Sequence, residues 1–437
     1  MKSFWLDCVL ATIFVFLVMI GVERLSESRI FDALDPVSQA LADFELTDYA
    51  FSKLRIEDPL ADENILIVNT AHLSRAEIAQ QIRVLSQFKP KLFAIDIIFA
   101  CEGGLTDPEN CPQRYDTLGN LILRDAIENA GVVVMAHKLW QTQATSKLNV
   151  AVYDSMEHTD EILRPDNVYE GFVNLPTGAE HQEDLKICRS VYPTVDVNDE
   201  TQIAFSVKAA QLFDSAKVER FLERGNEEES INYRGNIVDP HGASTYPGRY
   251  AVLDWYQALD PTSFEPDAVK DKIVLMGFLG ADLRDTSWDD KFFTPLNKKV
   301  GGRARPDMYG VVVHANIISM ILNGDFVDEL EFWHQIAIAI ILCFVNIILF
   351  AYIHRRFPIW FDTVSLGIQL IQILFFLILV PYVFYWFTFK LEITIALLAL
   401  ALAGPCFEIY ISILKNGAKF VINRYLLTKP KEEVLSH

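Results

Sequence analysis

The chain has 437 residues, room for two to four domains at roughly 100–200 residues each. Half of it is hydrophobic, yet the net charge is −20. The charge is segregated: residues 24–331 hold 51 acids and 29 bases, the remainder 7 acids and 9 bases. An acidic, soluble-type block inside an apolar frame excludes a disordered, collagen-like or small disulfide-stapled chain, and its acidity speaks against a nucleic-acid partner.

In chain order, residues 4–22 are apolar apart from Asp7 and long enough for a bilayer span. Only Lys2 precedes them, and no small-x-small cleavage site follows before Glu23, so an uncleaved anchor is expected. Residues 24–60 are expected to lead out of it as helix. The run Ile65, Leu66, Ile67, Val68 within 64–71 is apolar on both faces, as in a parallel sheet. Ser74 opens a helix with Glu77 three residues on, a capping box, and Ile78, Ile82 and Leu85 form its apolar stripe. Pro90 ends that segment, and residues 91–99 read as a second buried strand.

Cys101 and Cys111 bracket a loop of Gly, Asp, Asn and Pro. Outside the cytoplasm they are expected to pair, contributing about 2.5–3 kcal/mol on the chain-entropy account. Cys188 is then left over, buried or free. Leu118, Leu121, Ile122 and Ala126 give a second helical stripe, Gly131 stops it, and 132–137 is a third strand. This β-α-β-α-β order predicts a mostly parallel α/β sheet flanked by helices. The middle, 145–265, is polar and broken by Pro and Gly. Within it 201–213 reads as helix and 223–230 as a charged surface loop. Residues 272–278 form a later buried strand, and 311–323 a helix closed by Gly324.

Three further spans, 332–353, 363–389 and 393–414, follow the block and complete a four-span helical membrane region. His354, Arg355 and Arg356 follow one, and Lys415, Lys419, Arg424, Lys429 and Lys431 follow the last, which places both segments in the cytoplasm. Tyr382, Tyr385 and Trp386 mark the outer interface. The acidic block is then extracytoplasmic, and both termini are cytoplasmic. The absence of an Asn-x-Ser/Thr sequon fits a bacterial inner membrane with the block in the periplasm. The domains expected are an anchor (1–23), the periplasmic block (24–331), three helices (332–414) and a basic tail (415–437).

Ligands of open parallel sheets bind beyond the carboxyl ends of the strands, so polar residues there are weighed first. Asp96 interrupts an apolar strand and needs a partner or a ligand. After Gly277 come Asp282, Asp285, Asp289, Asp290 and Thr294-Pro295. Their spacing does not fit an EF-hand, and a loop tied by Asp–Arg pairs is the plainer reading. His137 ends a strand and His314 begins a helix; each is a packing histidine or a ligand. Asp96, His137, Asp282, Asp285, Thr294 and His314 are the candidate ligand-binding set. Glu408 is the one acid well inside a span, placed for snorkelling or helix packing. No catalytic motif is present, no cysteine or histidine spacing matches a metal site, and neither catalysis, metal nor cofactor is expected.

Three pieces resemble a known family: 91–99 with Asp96; Asp271-Lys272-Ile273-Val274-Leu275-Met276-Gly277 with Asp285 and Thr294-Pro295 after it; and Tyr309-Gly310-Val311-Val312-Val313-His314-Ala315-Asn316. They resemble the type-2 CHASE domain, the cyclase- and histidine-kinase-associated sensory extracellular domain of bacterial receptors. That family also places one span before the domain and three after it. The resemblance implies a periplasmic input domain. Family members usually continue into a cyclase, kinase or phosphodiesterase domain, whereas only 23 residues follow Leu414. The expected function is signal transduction through a partner protein, with oligomerisation open. The alternatives are a structural subunit of a cell-envelope assembly and, third, a metal-assisted periplasmic enzyme built on Asp96, Asp282, Asp285 and His314.

Overall fold

A strand that is apolar on both faces must be covered on both, and the sheet is built that way. The computed structural model describes residues 2–26, 45–54, 61–101, 107–141, 152–177, 187–237, 240–244, 248–299, 305–415 and 417. The chain divides into two units, Asp43–Val327 and a second made of Met1–Ala42 with Asp328–His437. Of the expected lead-out at 24–60, residues 24–26 and 46–54 are helical; 27–44 and 55–60 lie outside the described residues.

The first unit holds a seven-stranded sheet. Its strands are β1 (Ile65–Asn69), β2 (Leu92–Ile95), β3 (Val133–Trp140), β4 (Ser155–Glu157), β5 (Val168–Phe172), β6 (Ala251–Leu253) and β7 (Ile273–Gly277). The order is β6-β1-β7-β2-β3, with β3 pairing both β4 and β5. Every pairing is parallel except β3 with β4. β7 comes late in the chain and inserts between β1 and β2, which the local reading of β-α-β units could not show.

Helices α2 (Arg75–Ser86) and α3 (Thr117–Glu128) cover one face. Their Ile78, Ile82, Leu85, Leu123 and Ile127 pack with Leu66, Val68, Phe93, Ile95, Val133, Met135, Val274 and Met276. These strand residues alternate, as the two-residue period of a strand demands. Ser74 and Glu77 close the capping box at the start of α2. The stripe of α3 differs from expectation: Gly119, Asn120, Leu123, Ala126 and Ile127 are buried, whereas Leu118 is 69% and Leu121 51% exposed. Asp116 caps the helix through the Gly119 N–H, and this sets a phase that the apolar residues alone do not.

The opposite face is covered by α4 (Phe205–Phe213) and α6 (Gly310–Asn323), with α5 (Ser215–Leu222) beside them. α6 is buried along nearly its whole length, and Gly277 allows its close approach: a Cβ there would lie 2.7 Å from Val311. Gly324 ends α6 in the left-handed conformation. Asn316 fastens the helix to a loop, donating to the Gly235 carbonyl at 3.0 Å and accepting from the N–H groups of Arg234 and Gly235.

Two expectations need correction. Residues 201–203 are not helix; they form the second strand of a hairpin, Thr194–Val197 with Glu200–Ile203. Asn198 and Asp199 both have positive φ, a two-residue turn suited to the twist of a hairpin. The loop 223–230 is not wholly exposed, since Glu229 is buried and held by Arg224 at 2.7 Å. The Cys101–Cys111 disulfide is present, and Cys188 is a buried free thiol.

Among the described residues, the second unit contains four helices long and apolar enough to cross a membrane. They are α1 (Lys2–Ser26), α7 (Phe332–Arg356), α8 (Phe361–Phe387) and α9 (Thr394–Ile409). Cys8, Ala11, Val15 and Met19 of α1 pack with Cys343 and Ile347 of α7 and with Ala399, Ala403 and Cys406 of α9. Small residues at such seams let backbones approach. Asp7 is paired with Lys415 and accepts from the Tyr410 hydroxyl at 3.4 Å, so the start of α1 and the end of α9 share one end of the bundle. Glu408 is exposed on α9.

Candidate functional site

Where the parallel strands end, the chain must turn away, and the turns leave a cleft of about 820 Å³. Its walls come from the segments after β1, β2, β5 and β7, from Lys138 on β3, and from the first turns of α2 and α6. This is the carboxyl end of the sheet, where ligands of open α/β folds bind.

Asp96 stands on the wall just past β2. The strand is shorter than expected, ending at Ile95; the Asp96 N–H still bonds the Met276 carbonyl at 2.8 Å, the last rung before β7 stops at Gly277. Burial, and then the neighbouring Asp290 charge, push the Asp96 carboxyl up to about 8. At neutral pH it is protonated and can both donate and accept. His314, at the start of the second turn of α6, also lines the cleft and stands edge-on to the Phe205 ring at 5.3 Å. Burial pushes it down to about 3, so it is a neutral imidazole, and its Nδ1 has no hydrogen-bond partner among the described residues.

The other expected residues lie elsewhere. Asp285 closes its own loop by accepting from the N–H groups of Ala281 and Ser287, each at 2.7 Å, which holds its carboxyl below the usual range. Asp282 accepts from the Arg284 N–H at 2.6 Å and meets its guanidinium at 3.4 Å, the Asp–Arg tie anticipated for this loop. Thr294 is buried, donating its hydroxyl to Asp307 Oδ2 at 2.8 Å. None of these three lines the cleft. His137 is buried beside His158 and Glu170, away from the cleft lining. The structure thus joins Asp96 and His314 and separates them from Asp282, Asp285 and Thr294.

Several residues behind the site were not singled out. Asn69 ends β1 fully buried; it donates to Asp254 at 2.9 Å and to the Gly280 carbonyl at 3.2 Å, and it accepts from Ala71 and Leu279. It ties together the loops after β1, β6 and β7. Arg75 sits 7% exposed at the cleft edge with Asn120 and Asp160 as partners. A polar residue at the end of an apolar run was the available signal in Asn69, as it was in Asp96.

The model of the CHASE2 domain family matches residues 9–351, from within α1 to within α7. The chain belongs to the CHASE2 family. No curated protein and no solved structure matches it. CHASE2 domains are sensory rather than catalytic. Within this CHASE2 domain the matching motifs divide by role: Gly277, Thr294 and Asn316 pack or fasten the fold, while Asp96 and His314 face the cleft.

Proposed function

We propose that this CHASE2 protein resides in a bacterial inner membrane, holds residues 43–327 in the periplasm, and binds a small polar ligand in the cleft at the strand ends. Four apolar helices anchor it, and it acts through a partner protein in signal transduction. The cleft carries the reading: about 820 Å³ lies within the usual range for small-molecule sites, with two uncharged, hydrogen-bonding groups, Asp96 and His314, in its wall. The basic residues after α7 and after α9 support a cytoplasmic location for those ends.

The test is a thermal-shift screen of polar metabolites on the full chain in detergent, repeated with Asp96→Ala. A hit raises Tm in the wild type and loses at least about tenfold in affinity in the variant, the scale of one or two lost polar contacts. Hits that bind the variant equally well remove the cleft from the proposal. The second reading is a docking subunit of an envelope assembly, favoured by the 51 acids and 29 bases of residues 24–331. A pull-down in mild detergent separates the two: a cyclase or kinase supports signalling, an envelope protein at fixed stoichiometry supports docking.

A further inference from the structure

β3 forks. Its first five residues pair with β5 in parallel, and its last three pair with β4 antiparallel. His137 is the last residue of the parallel part. The register sets Met135 against Glu170 and His137 against Phe172, so His137 and Glu170 project from the same face one step apart. β4 ends at Glu157, opposite Lys138, and delivers His158 to the same spot. The two imidazole rings lie 5.1 Å apart between centroids, and His158 Nδ1 is 3.1 Å from Glu170 Oε1. One ligand atom from each of His137, His158 and Glu170 lies within 4.8 Å of the others.

His137 is 2% exposed, and among the described residues neither of its ring nitrogens has a hydrogen-bond partner. A neutral imidazole has one donor and one acceptor, and burying both unmet is unfavourable. A packing role leaves both nitrogens unmet; a metal would take up one lone pair. We propose that His137, His158 and Glu170 form a binding site for a divalent transition metal of the zinc type. Two imidazoles and one carboxylate are a donor set that Zn²⁺ accepts, with a further position left for water or a ligand.

Two features fit this use. His158 is one-third exposed and supplies the route of entry. Arg164 holds the far oxygen, Glu170 Oε2, at 3.0 Å, which leaves Oε1 to face the imidazoles. A hydrogen-bonded partner behind a ligating carboxylate orients it. The guanidinium also repels a cation, and this limits the affinity.

The test uses the full chain in detergent, stripped with EDTA and titrated with Zn²⁺, and separately with Co²⁺ for its absorption spectrum. The expected result is one equivalent bound, a rise in Tm, and Co²⁺ bands of nitrogen–oxygen ligation. His158→Gln and Glu170→Gln, chosen because both side chains are partly exposed, should each weaken binding at least about tenfold. His241→Gln, at an exposed histidine far from the fork in sequence, should bind as the wild type does. Three results overturn the proposal: no Zn²⁺-dependent rise in Tm; equal binding by the wild type and His158→Gln, which marks the ion as adventitious; or weakened binding by His241→Gln, which moves the site elsewhere.

Discussion

Asp96 and His314 titrate in opposite directions, and each leaves its own mark on stability. Asp96 keeps its proton in the folded state up to about pH 8, whereas the unfolded chain loses it near the ordinary carboxylate value. Between those limits the folded state binds the extra proton, so this group's contribution to stability declines as pH rises, by about 1.4 kcal/mol per pH unit. His314 behaves in reverse. Its folded form resists protonation down to about 3, so the unfolded chain binds the extra proton between there and about 6.5, and stability declines as pH falls through that window. Asp96→Asn should therefore gain on the wild type in denaturant melts from pH 5 to pH 8, and His314→Gln should flatten the acid side. Identical pH profiles for the Asp96→Asn variant and the wild type would contradict the assignment. At this scale the sequence was partly legible. Asp96 and His314 stood out as polar residues in apolar runs, but the burial that sets their charge, and for Asp96 the Asp290 neighbour, come from chain brought back from elsewhere.

Among the elements, α9 shows how a defect is repaired. Pro405 has no N–H and leaves the Ala401 carbonyl without its helical donor. Gln369 on α8 donates to that carbonyl at 3.0 Å and to the Leu400 carbonyl at 2.6 Å. Gly404 makes room, since a Cβ there would lie 2.8 Å from Gln369 Oε1. Gln369→Leu should weaken the α8–α9 pairing by about 1 kcal/mol, the usual size of a polar contact between membrane helices. Steric-trap or denaturant unfolding in bicelles would measure it, and an unchanged stability would show that the contact is dispensable. In the sheet unit, Asn316→Ala strands the Gly235 carbonyl and two N–H groups. It should cost about 2–4 kcal/mol by chemical denaturation, whereas an exposed Asn129→Ala should cost far less. The capping box of α2, the buried β1 and β7, and the close of α6 were legible because each is coded within a few residues. The phase of α3 and the hairpin at 194–203 were not read from apolar pattern: a cap and a two-residue turn decided them.

For the whole molecule, two covalent and topological features give direct tests. The Cys101–Cys111 link spans 10 residues. Its loss through Cys111→Ser should lower stability by about 2–3 kcal/mol on the chain-entropy account, read as a lower Tm without reductant. Cys188 should resist thiol reagents until the protein unfolds, because burial pushes its thiol up to about 12 and it is fully enclosed. Hydropathy and charge, which need no long-range information, by themselves determined the four long apolar helices, the acidic block between the first and second, and the parallel α/β character of that block. The pairing of Cys101 with Cys111 was equally local. Only the tertiary structure decided that β7 lies between β1 and β2, that Asp96 meets His314 across one cleft while Asp282, Asp285 and Thr294 secure other loops, and that His137 gathers His158 and Glu170. Strand order and register follow from burying both faces of the sheet at once, and that requirement acts between segments 208 residues apart, beyond the reach of any local pattern.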